Sequence, residues 1–389
     1  GELKMRIIDL FSGCGGLSLG FIERGHQIVK AVEIDPSIAN TYKVNHPEVD
    51  MIVEDIKTLD TAGVFQRGEA DLIVGGPPCQ GFSMAGKRVK DDIRNQLVFS
   101  YIKFIKLVHP KMILFENVKG FTYAFNKRKR NDAEPYSDKV IQALEGLGYA
   151  VKPHIIDFSE YGVPQRRKRF ILVGIKKEIG SPEHFEQMLK DNRDKFLEER
   201  GLNKTVTLQD AISDLLRSNG EYPTPDRKGF YSGQYGNKEL TNYEKLMRGD
   251  YSKTHKVPNS HSFAKHTISK TECFKRLLAE YPLRGKRLDG KARESWGIKQ
   301  RGIIVLDPTA VSPTITGQPD DYLHYSEPRI MTVRECARIQ SFPDWYEIKK
   351  KYTTGGKLRK IEVPRYCQVG NAIPPLFAEL AGIVLKNMI

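Results

Sequence analysis

Cys79 stands in the segment GGPPCQGFS, on a turn whose stiffness is unusual for a cysteine. A cysteine kept for packing behaves as a small hydrophobe inside a helix or strand. Here Pro77 and Pro78 fix φ and remove two backbone donors immediately before the thiol. The apolar run that starts at Asp71 therefore predicts a strand followed by a loop that holds the Cys79 sulfur in one pose.

Glu116 ends the next apolar run, MILFENV, over 112–118. Ligands collect beyond the carboxyl ends of parallel strands, so Cys79 and Glu116 are predicted to face one pocket. A nucleophilic thiol and a carboxylic acid suit covalent attack on an electron-poor ring, with a proton delivered to the ring at the same time. A structural cysteine and a salt-bridged glutamate are the alternative interpretation.

A glycine-rich turn, DLFSGCGGLSLGF, follows the first predicted strand and opens a helix. Gly13 and Gly15 let the backbone approach a ligand at the helix N-terminus. The spacing is G-x-G-G, and Ser18 stands where a dinucleotide fingerprint has its third glycine, which disfavours a pyrophosphate. A nucleoside without phosphates, such as S-adenosylmethionine, fits better, although a turn that serves only packing stays open.

Two further strand ends are predicted to complete this cofactor site. Glu33 lies twenty residues beyond Gly13, where an acidic side chain can bind ribose hydroxyls. Asp55 and Ile56, after the third strand, are predicted to hold the adenine.

The elements that must position these residues alternate along the first half of the chain. Alternating apolar runs and helical patterns predict βαβ units, with a parallel sheet and helices on both faces. The predicted strands cover 6–11, 28–34, 51–56, 71–76 and 112–118, the predicted helices cover 16–24, 36–45 and 95–108, and the runs at 149–158 and 169–175 extend the sheet.

From about residue 178 the pattern dissolves, and 180–310 is polar with turn signals and no sustained periodicity. The sequence therefore predicts a Rossmann-like α/β domain over 1–178, completed by 366–389, and a smaller irregular domain with a hinge over 179–365. The closing stretch, LFAELAGIVLKNMI, returns to helical spacing. No uninterrupted apolar run of membrane-spanning length and no secretion signal is expected.

Charge predicts a polyanionic partner for this 389-residue chain, because its formal net charge is +14. The basic residues cluster in KRKR, QRRKR and KKK, and a merely basic solvated surface is the alternative. The five cysteines include no CxxC pair, which argues against a zinc site and fits a reducing cytosol. His255, His261 and His266 are expected to be solvated or to contact phosphate.

Taken in order, the motifs resemble those of cytosine-C5 DNA methyltransferases of the bacterial restriction–modification type. The matching segments, spread over 7–376, are DLFSGCGG, GGPPCQGFS, ENV, YGVPQRRKRFILVG, RIMTVRECARIQSFPD and QVGNAIPP. The resemblance implies methylation of a cytosine flipped out of duplex DNA, since C5 and C6 are stacked inside the helix. It also implies S-adenosylmethionine as cofactor, S-adenosylhomocysteine as product and no metal. We further expect a monomeric, cytoplasmic and nucleoid-associated protein with no membrane partner.

The resemblance implies a role for each matching residue. Cys79 matches the nucleophile that adds to cytosine C6, Glu116 the group that protonates N3, and Asn117 a support for that geometry. Arg167 and Arg169 match arginines that hold the flipped cytosine and position the loop. The matches to the cofactor pocket are Phe11, Ser12, Gly13, Gly15, Glu33, Ile34, Asp55, Ile56, Pro77, Asn371 and Ala372. Target specificity is expected within 180–325, where SPTITG, with Thr314 and Thr316, resembles a segment near the flipped base.

Three other functions remain open at the level of sequence. An RNA cytosine-C5 methyltransferase would use the same catalytic domain, although CQGFS and the sizeable variable region favour DNA. A zinc nucleobase deaminase would need a downstream CxxC, which the chain lacks. A catalytically inactive DNA-binding module would have lost the thiol or the acid, and both are present.

Overall fold

A computed structural model describes residues 3–76, 95–118, 136–299, 302–354, 357–358 and 361–389. The chain divides into two compact units. The first, named the sheet unit, comprises Gly1–Phe158, Lys168–Asp194 and Phe377–Ile389. The second unit comprises Ser159–Arg167 and Lys195–Leu376.

A seven-stranded sheet forms the centre of the sheet unit, with the strand order β3-β2-β1-β4-β5-β7-β6. Its strands are β1 Arg6–Leu10, β2 Gln27–Val32, β3 Asp50–Ile52, β4 Leu72–Gly75, β5 Met112–Val118, β6 Tyr149–Asp157 and β7 Lys168–Lys176. Its helices are α1 Gly16–Glu23, α2 Pro36–Asn45, α3 Thr61–Val64, α4 Asn95–Val108 and α5 Tyr136–Gly146. The predicted α/β class is confirmed.

The first five strands are parallel, whereas β7 runs antiparallel to both β5 and β6. The expectation of a wholly parallel sheet is therefore wrong at this edge. A short connection, 158–167, joins β6 to β7, and strands joined in this way pair antiparallel because a parallel pair needs a longer crossover. One hydrophobic core below the sheet includes Ile8, Ile73, Tyr101 and Phe115.

The third predicted strand is shorter than expected, because β3 ends at Ile52. The Asp55 carboxylate accepts a hydrogen bond from the Lys57 backbone N–H at 2.9 Å. The Asp55 carbonyl accepts those of Thr58 and Leu59. These local bonds fold 55–59 into a turn, which competes with extension of the strand.

The second unit contains short elements and one sustained helix. They are α7 Leu208–Ile212, β8 Glu221–Pro223, β9 Tyr231–Gly233, α8 Asn242–Arg248, α9 Tyr251–Thr254, α10 Ile268–Glu280, α11 Gly290–Ser295, β10 Ile304–Val305, β11 Tyr322–Leu323, α12 Val333–Ile339 and α13 Arg365–Gly370. Helix α6, Phe185–Glu198, and helix α14, Pro375–Lys386, each span a boundary between the units.

The prediction that 180–310 lacks periodic structure is wrong for α6 and α10. Thr267 caps α10 by accepting the Lys270 N–H at 3.2 Å, and the helix buries Phe274 and Leu277. These two side chains join Leu288 and Ile303 in a separate hydrophobic core. The apolar stripe is hard to detect in the sequence because it is narrow, with Phe274 and Leu277 as its buried residues.

The compact units differ from the predicted domain boundaries at 159–167, 179–194 and 366–376. Segments 159–167 and 366–376 belong to the second unit, and 179–194 stays with the sheet unit. By length and composition, the stretch 365–386 could span a membrane. This differs from the expectation that the chain has no apolar run of membrane-spanning length. This stretch is 78% buried inside the protein, as a core helix is, and it is divided between α13 and α14.

Candidate functional site

The carboxyl ends of four strands meet at one edge of the sheet. Leu10, the last residue of β1, pairs with Val32 of β2 and with Gly75 of β4, and Gly75 pairs with Phe115 of β5. Neighbouring strands lie about 4.8 Å apart, so β1 and β5 are about 10 Å apart. The predicted cofactor residues after β1 and β2 and the predicted acid, Glu116, therefore share this edge.

The turn after β1 brings backbone rather than side chains to this edge. Phe11 has φ +57°, an uncommon value for a residue with a side chain. Gly13 has φ +57°, and no described residue lies within 4 Å of where its Cβ would be. Helix α1 then begins after Gly15, which provides no side-chain cap. The first N–H groups of a helix have no partner within the helix, so a ligand at this end can accept hydrogen bonds from them.

Glu33 closes the same turn from the end of β2. Its carboxylate accepts the Gly13 N–H and the Asp35 N–H, both at 3.0 Å. Burial raises the pKa of Glu33 above its ordinary value. A carboxylate has about four lone-pair sites, so Glu33 keeps acceptor capacity beyond these two bonds.

Two observations on the turn fit the nucleoside cofactor that the sequence predicts. The Ser12 hydroxyl is buried and, among the described residues, has no hydrogen-bond partner. The Ile34 side chain is 60% exposed beside Glu33. An apolar surface next to a carboxylate is what a heterocyclic base joined to a ribose requires.

The remaining residues predicted for the base are placed differently. Asp55 lies in the turn after β3, and its side chain is about one-quarter exposed. Ile56 is buried in the core of the sheet unit, at 6% exposure. Pro77 and the predicted nucleophile, Cys79, lie outside the described residues.

Behind the turn, Asp9 forms a buried network that the sequence reading missed. Asp9 accepts a hydrogen bond from the Ser18 hydroxyl at 2.6 Å, and Ser18 accepts one from the Tyr42 hydroxyl at 2.7 Å. Burial, with Glu33 as a lesser contributor, raises the pKa of Asp9 to about 7. Ser18, which stands where a dinucleotide fingerprint has its third glycine, thus links Asp9 to Tyr42 behind the turn. The serine at this position is the sequence feature that could have indicated the network.

Glu116 is held by an arginine on the neighbouring strand. Arg169 Nε lies 3.2 Å from Glu116 Oε1, and both side chains are about 14% exposed. Glu116 pairs with Ile171, so Arg169 stands diagonally on the same face of the antiparallel pair, within reach of a long side chain. Asn117, next along β5, is buried at 2% exposure.

Arg167 belongs to the second unit, where its guanidinium is turned to backbone oxygens. It donates to the Ile315 carbonyl at 3.0 Å and to the Gly370 carbonyl at 2.9 Å, with only 4% of the residue exposed. Of the two residues that follow, Asn371 is exposed and caps the C-terminus of α13, and Ala372 is 7% exposed.

The three histidines differ from one another. His261 is fully buried between the Leu215 carbonyl and the Thr332 hydroxyl, each at 2.7 Å, and burial lowers its pKa to about 4. The expectation of a solvated or phosphate-contacting side chain is therefore wrong for His261. His266 is half-buried and accepts the Ile330 N–H, and His255 is exposed. Within the described ranges, no cluster of three or more His, Cys, Asp or Glu side chains is arranged to hold a metal ion.

Comparison with known proteins decides the family. The family model described as C-5 cytosine-specific DNA methylase matches residues 5–387. The chain belongs to this family. It is a DNA cytosine-5-methyltransferase, as the ordered motifs predicted, and its substrate is DNA.

Individual relatives extend over most of this methyltransferase. Type II methyltransferase M.DdeI of Desulfomicrobium norvegicum is 32% identical and covers 96% of this chain and 87% of its own length. Type II methyltransferase M.XorII of Xanthomonas oryzae pv. oryzae is 30% identical over 96% of this chain and 83% of its own. A crystal structure titled as a DNA modification methyltransferase from an E. coli prophage superimposes with a TM-score of 0.70, at 25% identity and 99% coverage of both chains.

Proposed function

We propose that this methyltransferase transfers a methyl group from S-adenosylmethionine to C5 of a flipped cytosine, within a specific sequence of duplex DNA. The single observation that carries the proposal is the shared sheet edge, at which the Gly13–Glu33 turn and the Glu116–Arg169 pair lie within the same unit. The Type II names of the relatives support a modification enzyme of a restriction–modification system.

The residues of the turn would hold the cofactor, which supplies a methyl group on a positively charged sulfur. Glu33 would bind the ribose hydroxyls and Ile34 the base, with Ser12 donating a hydrogen bond from a hydroxyl that has no partner among the described residues. Phe11, Gly13, Gly15, Asp55, Ile56 and Pro77, with Asn371 and Ala372 of the second unit, complete the proposed set.

Cys79 would act as the nucleophile on the extruded base. Its thiolate adds to C6, and the ring electrons move to C5 as Glu116 gives a proton to N3, so that C5 becomes nucleophilic. After methylation, loss of the C5 proton returns an electron pair to the ring and expels the thiolate. Gly75 ends β4 four residues before Cys79, and four residues span at most about 14 Å, which is compatible with the proposed role of Cys79 beside Glu116.

Arg169 would keep Glu116 oriented and contact the flipped nucleotide, and Asn117 would brace the strand end. A Cβ on Gly75 would lie 2.7 Å from the Leu10 carbonyl oxygen, so only glycine allows this approach of β4 to β1. Small displacements of a nucleophile cost much of its proximity advantage, which explains the tight packing at the start of the loop.

Trapping with a modified base tests the chemistry directly. Fluorine at C5 cannot leave as a cation, so duplex DNA with 5-fluorocytosine at the target should form a denaturant-stable adduct that requires S-adenosylmethionine. Cys79→Ala should abolish the adduct, and Cys273→Ala, which alters a partly exposed thiol elsewhere, should keep it. An adduct that survives Cys79→Ala would place the nucleophile elsewhere.

The trapping experiment needs the target sequence of the enzyme. Bisulfite sequencing of DNA from a host that expresses the protein identifies this sequence. The same preparation should methylate duplex DNA and leave tRNA unlabelled when tritiated cofactor is supplied. Labelling of tRNA in preference to DNA would favour the RNA alternative. We propose a monomer in the bacterial cytoplasm, associated with the nucleoid through its net charge of +14.

A further inference from the structure

Two segments far apart in sequence run side by side in the second unit. The Ser312 N–H donates to the Pro164 carbonyl at 2.9 Å, and the Arg166 N–H donates to the Ser312 carbonyl at 2.8 Å. The Thr314 hydroxyl extends the contact by donating to the Arg166 carbonyl at 2.7 Å. Segment 312–317 is thereby fastened to 164–167.

Gln165 uses its whole side-chain amide inside this junction. Its Oε1 accepts the Ile315 N–H at 2.8 Å and an Arg167 N–H at 3.2 Å. Its Nε2 donates to Gln340 Oε1 at 2.6 Å and to the Ile339 carbonyl at 3.5 Å. Gln165 is fully buried, so water cannot substitute for any of these bonds.

Gln340 carries the connection onward to a third segment. It caps the C-terminus of α12 and is fully buried. Its Nε2 donates to the Val369 carbonyl at 2.9 Å and to the Ala372 carbonyl at 3.1 Å. Arg167 reaches the same turn through the Gly370 carbonyl, so two side chains hold residues 369–372.

The third segment also touches the first directly. A Cβ on Gly370 would lie 2.5 Å from the Thr316 carbonyl carbon and 2.7 Å from the Gly317 nitrogen. No side chain fits there, and the two backbones are in contact. A shift of 369–372 must therefore move 314–317, because close-packed interiors transmit displacement.

We infer that Gln165, Arg167 and Gln340, named here the amide hub, are positioning residues that couple cofactor binding to target-base binding. The inference rests on the proposed function, which assigns Asn371 and Ala372 to the cofactor. It also uses the sequence resemblance that sets Thr314 and Thr316 near the flipped base. Arg167 then acts through the segments it holds, rather than by touching cytosine as the sequence resemblance implied.

Binding linkage tests the hub. The dissociation constant of S-adenosylhomocysteine is measured with and without saturating unmethylated plasmid DNA, and the ratio of the two values is the coupling. We expect a ratio of about five-fold or more in the parent, within the usual range for coupled sites. Gln340→Met should bring the ratio to within about two-fold of unity, because Met fills the space without making the amide bonds.

Gln368→Met is the matched control. Gln368 is also a buried glutamine of the second unit, and its Nε2 donates to the Lys349 and Val363 carbonyls, outside the hub. This variant should lose similar stability and keep the parent ratio. Tyr322→Phe provides a milder change, since its hydroxyl donates to the Thr314 carbonyl at 2.6 Å, and it should lower the ratio partially without unfolding the protein.

The outcomes separate the hub from the proposed function. A parent that methylates DNA but shows a ratio near unity overturns the hub alone. The hub is also overturned if Gln368→Met and Gln340→Met have equal free energies of unfolding and both bring the ratio of dissociation constants to unity. It is overturned as well if Tyr322→Phe keeps the ratio of the parent. A parent that transfers no methyl group to DNA overturns the proposed function together with the hub.

Discussion

Arginine–carboxylate pairs occur in both units, and their surroundings differ. In the sheet unit, Arg169 Nε lies 3.2 Å from Glu116 Oε1, at a strand end where both side chains keep some exposure. In the second unit, Arg338 is fully buried and contacts Asp214 and Asp344, each through two hydrogen bonds between 2.8 and 3.1 Å.

In the second unit, buried arginines hold the pKa of two carboxyl groups below their ordinary values. Burial alone would raise the pKa of Asp344, but the Arg338 guanidinium outweighs it and holds that pKa below its ordinary value. Burial alone would likewise raise the pKa of Glu335, and Arg329 and His324 instead hold it well below the usual range. Such clusters maintain structure, whereas the Glu116–Arg169 pair at the sheet edge keeps some exposure.

Glu116→Gln is expected to have the largest effect on activity. The variant keeps a hydrogen-bonding side chain beside Arg169 but loses the ionisable group, so methyl transfer should fall by about 10²–10⁴-fold, as is typical for a general acid. Single-turnover transfer measures the loss, and the urea midpoint should stay near that of the parent. Activity within a few-fold of the parent would reduce Glu116 to a structural ion-pair partner.

Arg338→Met should have the largest effect on stability. Removing one partner from a buried ion pair costs about 3–5 kcal/mol, because the remaining carboxylates stay buried and uncompensated. Both tryptophans, Trp296 and Trp345, lie in the second unit, so their fluorescence during urea unfolding reports the change there.

Lys253→Met is the control for that measurement, since Lys253 and its partner Asp250 form a surface pair. Its unfolding midpoint should match that of the parent. If Arg338→Met destabilised the second unit no more than Lys253→Met does, the contrast between the two kinds of pair would be lost.

Asp9→Asn should change how stability depends on pH. Because the folded-state pKa of Asp9 is raised from 3.8 to about 7, the folded protein binds the extra proton between these values. The contribution of Asp9 to stability is therefore largest at low pH and falls as pH rises to about 7. The variant lacks this dependence on pH. Its free energy of unfolding, compared with that of the parent at the same pH, should therefore be about 2 kcal/mol higher at pH 8 than at pH 5. A variant-to-parent difference in Tm that is constant with pH would contradict the shift.

Glu33→Gln should give the smallest of these effects, and it should change cofactor binding without changing DNA binding. The amide keeps one acceptor for the Gly13 or Asp35 N–H but loses the charge that binds ribose hydroxyls. The KM for S-adenosylmethionine should rise about ten-fold, as expected for loss of a hydrogen bond to a charged group. DNA affinity, measured by gel shift, should stay constant. An unchanged KM would place the ribose elsewhere.

Part of this architecture could be predicted from residue order alone. Apolar runs of strand length located β1, β2, β4, β5 and β7 because strands buried on both faces are continuously apolar, and the ordered motifs predicted the family. The sequence did not reveal that β7 runs in the opposite direction to its neighbours, because an apolar run carries no information about strand direction. Nor did it reveal α10, whose buried stripe consists of few residues.

The chemistry follows the same division. Side-chain type and spacing were enough to select Cys79, Glu116 and Glu33 for their proposed roles, because a thiol, an acid and a ribose acceptor are properties of single residues. The tertiary structure alone decided which arginine faces Glu116 and which supports the backbone. Arg167 and Arg169 are two residues apart in one basic run, yet they lie in different compact units. Only folding determines which partners surround each guanidinium. Arg169 lies beside the proposed acid, Glu116, whereas Arg167 binds the backbone carbonyls of Ile315 and Gly370 and holds those segments in place.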